Sequence, residues 1–213
     1  MADMNERDTK LVQYLNEAYG KEKELEVALQ AHIGMTKRAP YKKRLQQHLG
    51  ETKSHGRQLE QRIRRLGGDP QRLQRLAGQA TAALKGPLHA LRGSGEEEKL
   101  LKNAKTEYSE EAEEIATYTA IEAFAEGVGD RESAKLAREI RRDEERMARY
   151  LERLIPQLTK AVVRSEVPGN QRVPRRRTRR RRTTKRGSST RARSHTGSRS
   201  RAGSRPRARS GSR

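Results

Sequence analysis

The sequence predicts an all-α protein: an antiparallel four-helix bundle followed by a disordered C-terminal tail. Three observations carry that expectation. Apolar residues recur at three- and four-residue spacing through four long stretches, and no stretch alternates as a strand would. Short breaks at Ala39-Pro40 and Gly127-Val128-Gly129 divide the four stretches into two hairpins. Charge is also sharply partitioned. Of 49 Lys and Arg residues, 18 lie from Arg172 onward, where no Asp or Glu occurs; the preceding segment keeps 31 against all 28 acidic residues.

The first helix is expected from Asp8 to about Lys37, with Leu11, Leu15, Ala18, Leu25, Leu29 and Ile33 as its stripe. Asp8 or Thr9 suits its N-cap, and residues 1–7 are expected to be flexible. The second helix should run from Tyr41 to Leu66 on Leu45, Leu49, Thr52, Leu59, Ile63 and Leu66, and stop at Gly67-Gly68-Asp69-Pro70. A long connection from Asp69 to Gly95 follows. It is expected to hold short helices packed through Leu73, Leu76, Ala80 and Leu84.

The third helix is predicted from Glu96 to about Val128, with a Glu-rich first turn that suits the helix dipole. Its expected stripe is Leu101, Ala104, Tyr108, Ile115, Tyr118 and Ala125. Asp130 can cap a fourth helix reaching about Val163 on Leu136, Ile140, Met147, Leu151, Leu154 and Leu158, with Pro156 expected to kink it. Two long hairpins joined by a long crossover make a ferritin-like bundle, residues 8–166. The tail, residues 167–213, lacks apolar periodicity and cannot offset its own ordering entropy.

Composition excludes several classes. With no cysteine, disulfides, thiolate metal sites and thiol nucleophiles are ruled out. The acidic, polar start Met1-Ala2-Asp3-Met4-Asn5-Glu6 does not read as a signal peptide. No run approaches the ~18 apolar residues of a spanning helix. A cytoplasmic protein without a membrane partner is the expectation, with nucleoid association wherever the tail meets DNA.

Each long helix carries acidic residues where its apolar stripe should continue. Glu22 lies between Ala18 and Leu25. Glu51 adjoins Thr52, with His48 and His55 on the same side of the helix. Glu111 and Glu114 fall between Tyr108 and Tyr118, and Asp143 and Glu144 between Ile140 and Met147. Taken singly, any of these is a solvated charge at a stripe margin. Gathered in one core, carboxylates would repel each other and take up protons unless a cation removed the conflict. Four helices interrupted near mid-length favour a dinuclear carboxylate site for iron or manganese. The expected ligand set is Glu22, Glu51, His55, Glu111, Glu114, Asp143 and Glu144. His48 alone reads as a surface or hairpin histidine, and His32 and His89 as bystanders.

These residues also carry a resemblance. Glu17-Ala18-Tyr19-Gly20-Lys21-Glu22-Lys23-Glu24-Leu25, His48-Leu49-Gly50-Glu51-Thr52, Glu114-Ile115-Ala116-Thr117-Tyr118, and Ala134-Lys135-Leu136 leading to Asp143-Glu144-Glu145 stand in order. Together they resemble the YciE/YciF family of ferritin-like stress proteins over residues 8–163. The resemblance implies an antiparallel bundle, a homodimer or larger assembly, and a dinuclear carboxylate centre on Glu22, Glu51, Glu111, Glu114 and Asp143 or Glu144. The chain departs from it at Gly50, which replaces an acidic residue. The Glu-x-x-His of ferritins is also absent, because Ser54 stands three residues after Glu51.

The tail's densest cluster is Arg175, Arg176, Arg177, Arg179, Arg180, Arg181 and Arg182, extended by Lys185 and Arg186. Guanidinium groups bind phosphate bidentately and stay charged at all relevant pH. The tail has no aromatic residue on which bases could stack, so non-specific contact with DNA or RNA is the expectation. Two functions follow. In one, a metal-binding stress protein is tethered to nucleic acid. In the other, a metal-free architectural bundle compacts nucleic acid through its tails.

Overall fold

The computed structural model describes residues 5–69, 75 and 95–173. The expected short helices on Leu73, Leu76, Ala80 and Leu84, and the tail cations from Arg175 to Arg186, lie outside the described residues. Among the described residues four long helices stand out: α1 (Glu6–Met35), α2 (Ala39–Arg65), α3 (Glu96–Gly127) and α4 (Arg131–Glu166). A 3-10 turn, Gly169–Gln171, follows α4.

Local chemistry sets the helix ends. The side chain of Asn5 accepts the backbone N–H of Asp8 at 2.8 Å, so α1 starts before the expected Asp8 or Thr9 cap. Ala39-Pro40, expected as a break, instead opens α2, where proline's missing N–H costs nothing. The turn proper is Thr36 to Arg38. Gly67 ends α2 at φ +86°, and the Gly68 N–H reaches back to the Ile63 carbonyl at 2.9 Å. A Cβ at Gly68 would lie 2.3 Å from Ile63 Cγ2, so only glycine fits that close approach. Between α3 and α4, Gly129 takes φ +75°, and Asp130 caps α4 by accepting the Ser133 N–H at 2.9 Å. Arg62 reaches across from α2 to Asp130, Glu132 and Ser133, tying that end of the bundle together. The α4 helix continues through Pro156 to Glu166.

Two apolar clusters fill the bundle. One joins Leu11 and Leu15 to Leu59, Ile63, Tyr118, Ile121 and Ile140. The other joins Leu25 and Leu29 to Tyr41, Leu45, Leu100, Met147, Leu151 and Leu158. The first therefore gathers the early parts of α1 and α4 with the late parts of α2 and α3. That pairing fixes the directions: α1 and α4 run one way, α2 and α3 the other. The α2–α3 connection must span the bundle's length, which is the ferritin-like topology. Within this frame α1 packs on α2 and α3 on α4, with lesser contacts of α1 on α3 and α2 on α4.

The α3 stripe differs from the expected one. The buried register is Leu100, Ala104, Glu107, Glu111, Glu114, Tyr118, Ile121 and Ala125, while Tyr108 is 38% exposed. Apolar anchors at both ends of α3 set the register, and its middle is occupied by carboxylates rather than by Tyr108 and Ile115. No described helix is long and apolar enough to cross a membrane.

Candidate metal centre

Between the two apolar clusters lies a polar layer. Each helix contributes at the point where its stripe passes from one cluster to the other: Glu22 from α1; His48, Thr52 and His55 from α2; Glu111 and Glu114 from α3; Glu144 from α4. All are buried. Their spacing follows from helical geometry alone, since residues three, four and seven apart share a face.

Two groups of potential ligands form within this layer: Glu22, His55 and Glu144, and His48, Glu111 and Glu144. Within each, the ligand atoms lie within 4.8 Å of one another. Glu144 belongs to both, one oxygen to each side. Its Oε1 stands 2.9 Å from His55 Nδ1, and its Oε2 stands 3.5 Å from His48 Nε2. His55 Nδ1 also lies 3.3 Å from Glu22 Oε1. His48 Nε2 lies 2.9 Å from Glu111 Oε1.

The expected ligands divide into those facing inward and those one layer out. Glu22, His55, Glu111 and Glu144 converge in the two groups. Glu114 is fully buried beside them, facing Glu22, Glu144 and Glu111 electrostatically. Glu51 and Asp143 stand outside the groups, each on the far nitrogen of a histidine. Glu51 Oε2 is 3.1 Å from His48 Nδ1 and also accepts Arg44 at 3.0 Å. Asp143 Oδ2 is 3.1 Å from His55 Nε2, and its other oxygen takes Arg146. Outer carboxylates of this kind fix the tautomer and aim of an imidazole. Tyr118 does the same for Glu22, donating its O–H to Oε1 at 2.5 Å.

Sequence reasoning missed His48, which is fully buried rather than a surface residue. The signal was present in the α2 register, where Leu45, His48, Thr52, His55 and Leu59 keep one face. It also missed Glu107, and His32, which pairs with it.

Electrostatics show how poorly this layer is satisfied by protein alone. Burial pushes Glu114 well above the usual carboxylate range, and the charges of Glu22 and Glu144 add to the shift. Burial likewise raises Glu22, partly offset by His55, and lifts Glu111 to about 8 against the pull of His48. Glu144 is held below its ordinary value: burial opposes ionisation, but His55 and His48 outweigh it. Burial disfavours charge on the histidines too, yet Glu111 and Glu51 carry His48 up to about 10, and Glu144 and Glu22 carry His55 up to about 11. Glu51 falls to about 2 because His48 and Arg44 outweigh its partial burial.

Several buried polar atoms also lack hydrogen bonds. Glu22 Oε2, Glu111 Oε2 and both oxygens of Glu114 and Glu144 make no hydrogen bond, and neither does His55 Nδ1 despite its closeness to two carboxylates. Unpaired buried polar atoms of this number are costly. A set of carboxylates converging on two imidazole nitrogens, with one oxygen of Glu22 and of Glu111 and both of Glu114 left without hydrogen bonds, fits a first-row divalent cation.

Fold and polar layer together define a ferritin-like bundle with a buried carboxylate–histidine core. The chain belongs to the family described as Domain of unknown function (DUF892), whose model matches residues 6–164. The resemblance read in the sequence falls on that same span. Among solved structures, a protein of Xanthomonas campestris pv. campestris is similar at TM-score 0.61 and 23% identity, covering 75% of this chain and 97% of that one. The E. coli stress protein YciF is similar at TM-score 0.58 and 21% identity, covering 74% of this chain and 99% of that one. At these identities the likeness establishes the fold.

Proposed function

We propose that the protein is a ferritin-like stress-protection protein whose buried layer holds a pair of iron or manganese ions, and whose tail tethers it to nucleic acid. One observation carries the metal reading: two His–Glu groups share Glu144, while Glu22 Oε2, Glu111 Oε2 and both oxygens of the adjoining Glu114 are buried without a hydrogen bond. The stress reading rests on the fold shared with YciF, itself described as a stress protein.

In this reading Glu22 and His55 would hold one ion and His48 and Glu111 the other, with Glu144 common to both groups and Glu114 adjoining. Bound there, iron or manganese would supply the redox chemistry to consume iron(II) or peroxide. The chain's own residues do the rest. Glu51 and Asp143 keep the inward nitrogens of His48 and His55 in place. Tyr118 orients Glu22, and the apolar clusters above and below exclude bulk water. The test is metal analysis of the full-length chain after loading with iron(II) or manganese(II) and desalting. About two ions per chain are expected from the paired donor groups. Less than about one-tenth of an ion per chain would leave the architectural reading, in which histidine–carboxylate ion pairs are the layer's final state.

For the tail, the reading predicts steep salt dependence. Arg175 to Arg186 can neutralise several phosphates, and each neutralised phosphate steepens the fall of log K with log salt by about 0.9 on duplex DNA. Full-length protein should shift DNA at low salt at least ~100-fold more tightly than a chain ending at Val167. Equal binding by the two chains would refute the tether. Assembly of bundles into a homodimer or larger would multiply the tails and raise avidity without new contacts.

A further inference from the structure

The solvent face of α4 carries its charge in a regular order. From Arg131 the steps to Lys135, Arg142 and Arg146 are four, seven and four residues. From Arg149 the same steps lead to Arg153, Lys160 and Arg164. The second quartet begins 18 residues after the first, about five helical turns, so both lie along one line. At about 100° per residue the two quartets fall within about 60° of arc, and no other residue of α4 enters that arc. Every one of these cations is exposed. The result is a cationic ridge roughly 50 Å long.

Ion pairing does not account for the ridge. Arg138 and Arg141, the other cations of α4, stand off the arc and are engaged by Glu122 of α3 at 2.6 and 2.8 Å. On the ridge, Arg149 lies 3.5 Å from Glu145, Lys135 lies 3.9 Å from Glu139, and Arg146 meets Asp143. These are surface pairs within one helix and contribute little. Arg131, Arg142, Arg153, Lys160 and Arg164 form no ion pair among the described residues. Like charges four residues apart destabilise a helix, and Arg131, at the first position of α4, also opposes its dipole. A face shaped for solubility alone would interleave the acids that α4 already has. Glu139, Glu145 and Glu152 flank the ridge instead.

A straight row of fixed cations complements a straight row of fixed anions. The length of the ridge matches about 15 base pairs of duplex. No aromatic or apolar residue stands on it, so it offers neither a stacking platform for bases nor an anchor for a bilayer. We propose that the α4 ridge binds the phosphate backbone of duplex nucleic acid, as a second contact surface on the folded bundle. It deepens the reading of the tail as a tether, because the ligand class is the same, but it uses different residues and is judged by a variant of its own.

The experiment measures binding of full-length proteins to a mixed-sequence DNA duplex of about 30 base pairs, twice the ridge's length, by fluorescence anisotropy across a salt series. Three variants, each with four cations changed to Gln, are compared with wild type. The ridge variant combines Arg131→Gln, Arg142→Gln, Arg153→Gln and Lys160→Gln. The tail variant combines Arg175→Gln, Arg176→Gln, Arg179→Gln and Arg180→Gln. The control combines Lys43→Gln, Arg57→Gln, Arg65→Gln and Lys105→Gln, exposed positions on α2 and α3. All ridge and control positions are at the surface, and circular dichroism checks that helicity is unchanged. The ridge variant should bind at least ~10-fold more weakly at low salt, and its log K against log salt should flatten by about 2 or more, as loss of two or more phosphate contacts requires. The control should leave both nearly unchanged. A ridge variant indistinguishable from wild type or from the control would overturn the proposal, whatever the tail variant does. An unchanged tail variant would instead overturn the tether and leave the ridge judged by its own variant. Binding to phosphatidylserine vesicles that depends on the ridge as strongly as binding to DNA would assign the surface to a membrane and overturn the proposal as well.

Discussion

Replacing Glu144 with Gln should weaken metal binding in both inner groups at once, by at least ~100-fold, about 2.7 kcal/mol or more for each ion. The reason is its position. Its two oxygens face different histidines, at 2.9 Å from His55 and 3.5 Å from His48, so no other side chain belongs to both groups. An amide keeps the shape but removes the charge and turns one oxygen into a donor. Glu51→Gln provides the contrast. Of the two histidines it touches only His48, through the outward nitrogen, so a loss of about 10–100-fold confined to one ion is expected. Calorimetric titration with manganese(II) resolves the two cases. A Glu144→Gln protein that binds as tightly as wild type would remove the shared-ligand reading.

The metal-free protein should lose at least ~3 kcal/mol of stability between pH 6 and pH 9, a trend opposite to that of an ordinary salt-bridged protein. The groups whose raised values span this range agree in sign. Glu111 is raised to about 8, above its ordinary range, so folding retains a proton that the unfolded chain releases, and stability falls as pH rises toward 8. His48 and His55 are raised to about 10 and about 11; their contribution is complete below pH ~6.5 and is lost as pH climbs through those values. Glu51, lowered to about 2, contributes above its ordinary value and is lost only as pH falls toward 2. Greatest stability is therefore expected near pH ~4.5, where the Glu51 contribution is complete and that of Glu111 has only begun to fall. Urea unfolding of chelator-treated protein across pH measures the slope, and a flat or rising profile would contradict it. Metal loading should release protons and flatten the profile, because ligands must deprotonate to bind. Glu114→Met tests the same strain without metal. It removes a buried carboxylate with no partner on either oxygen, and should stabilise the metal-free protein by about 1–3 kcal/mol while impairing metal binding.

Much of the fold was legible in the sequence because helical periodicity is a local property. Leu11, Leu15, Leu25 and Leu29 on α1, and Ile140, Met147, Leu151, Leu154 and Leu158 on α4, are buried as their spacing predicts. The interruption of each stripe by a carboxylate was legible for the same reason. The α3 stripe was less so. Following apolar residues favoured Tyr108 and Ile115, whereas the core accepts Glu107, Glu111 and Glu114 because Leu100 and Ala104 at one end, and Tyr118, Ile121 and Ala125 at the other, hold the register. A pattern that counts only hydrophobicity misreads a helix whose buried middle is charged.

By itself, then, the sequence determined an all-α bundle, a crossover long enough to reverse the usual up-down order, a block of positive charge confined to the end of the chain, and acidic breaks on every helix. Only the tertiary structure decided which charges meet. His48 and His55 look alike along α2, as do Asp143 and Glu144 along α4. A rotation of about 100° per residue separates an inward carboxylate from one at the margin, and packing of the two apolar clusters fixes that rotation. It sends Glu144 between the histidines and leaves Asp143 behind His55. It also brings His32 to Glu107, from helices far apart in the chain, a juxtaposition that no local spacing encodes.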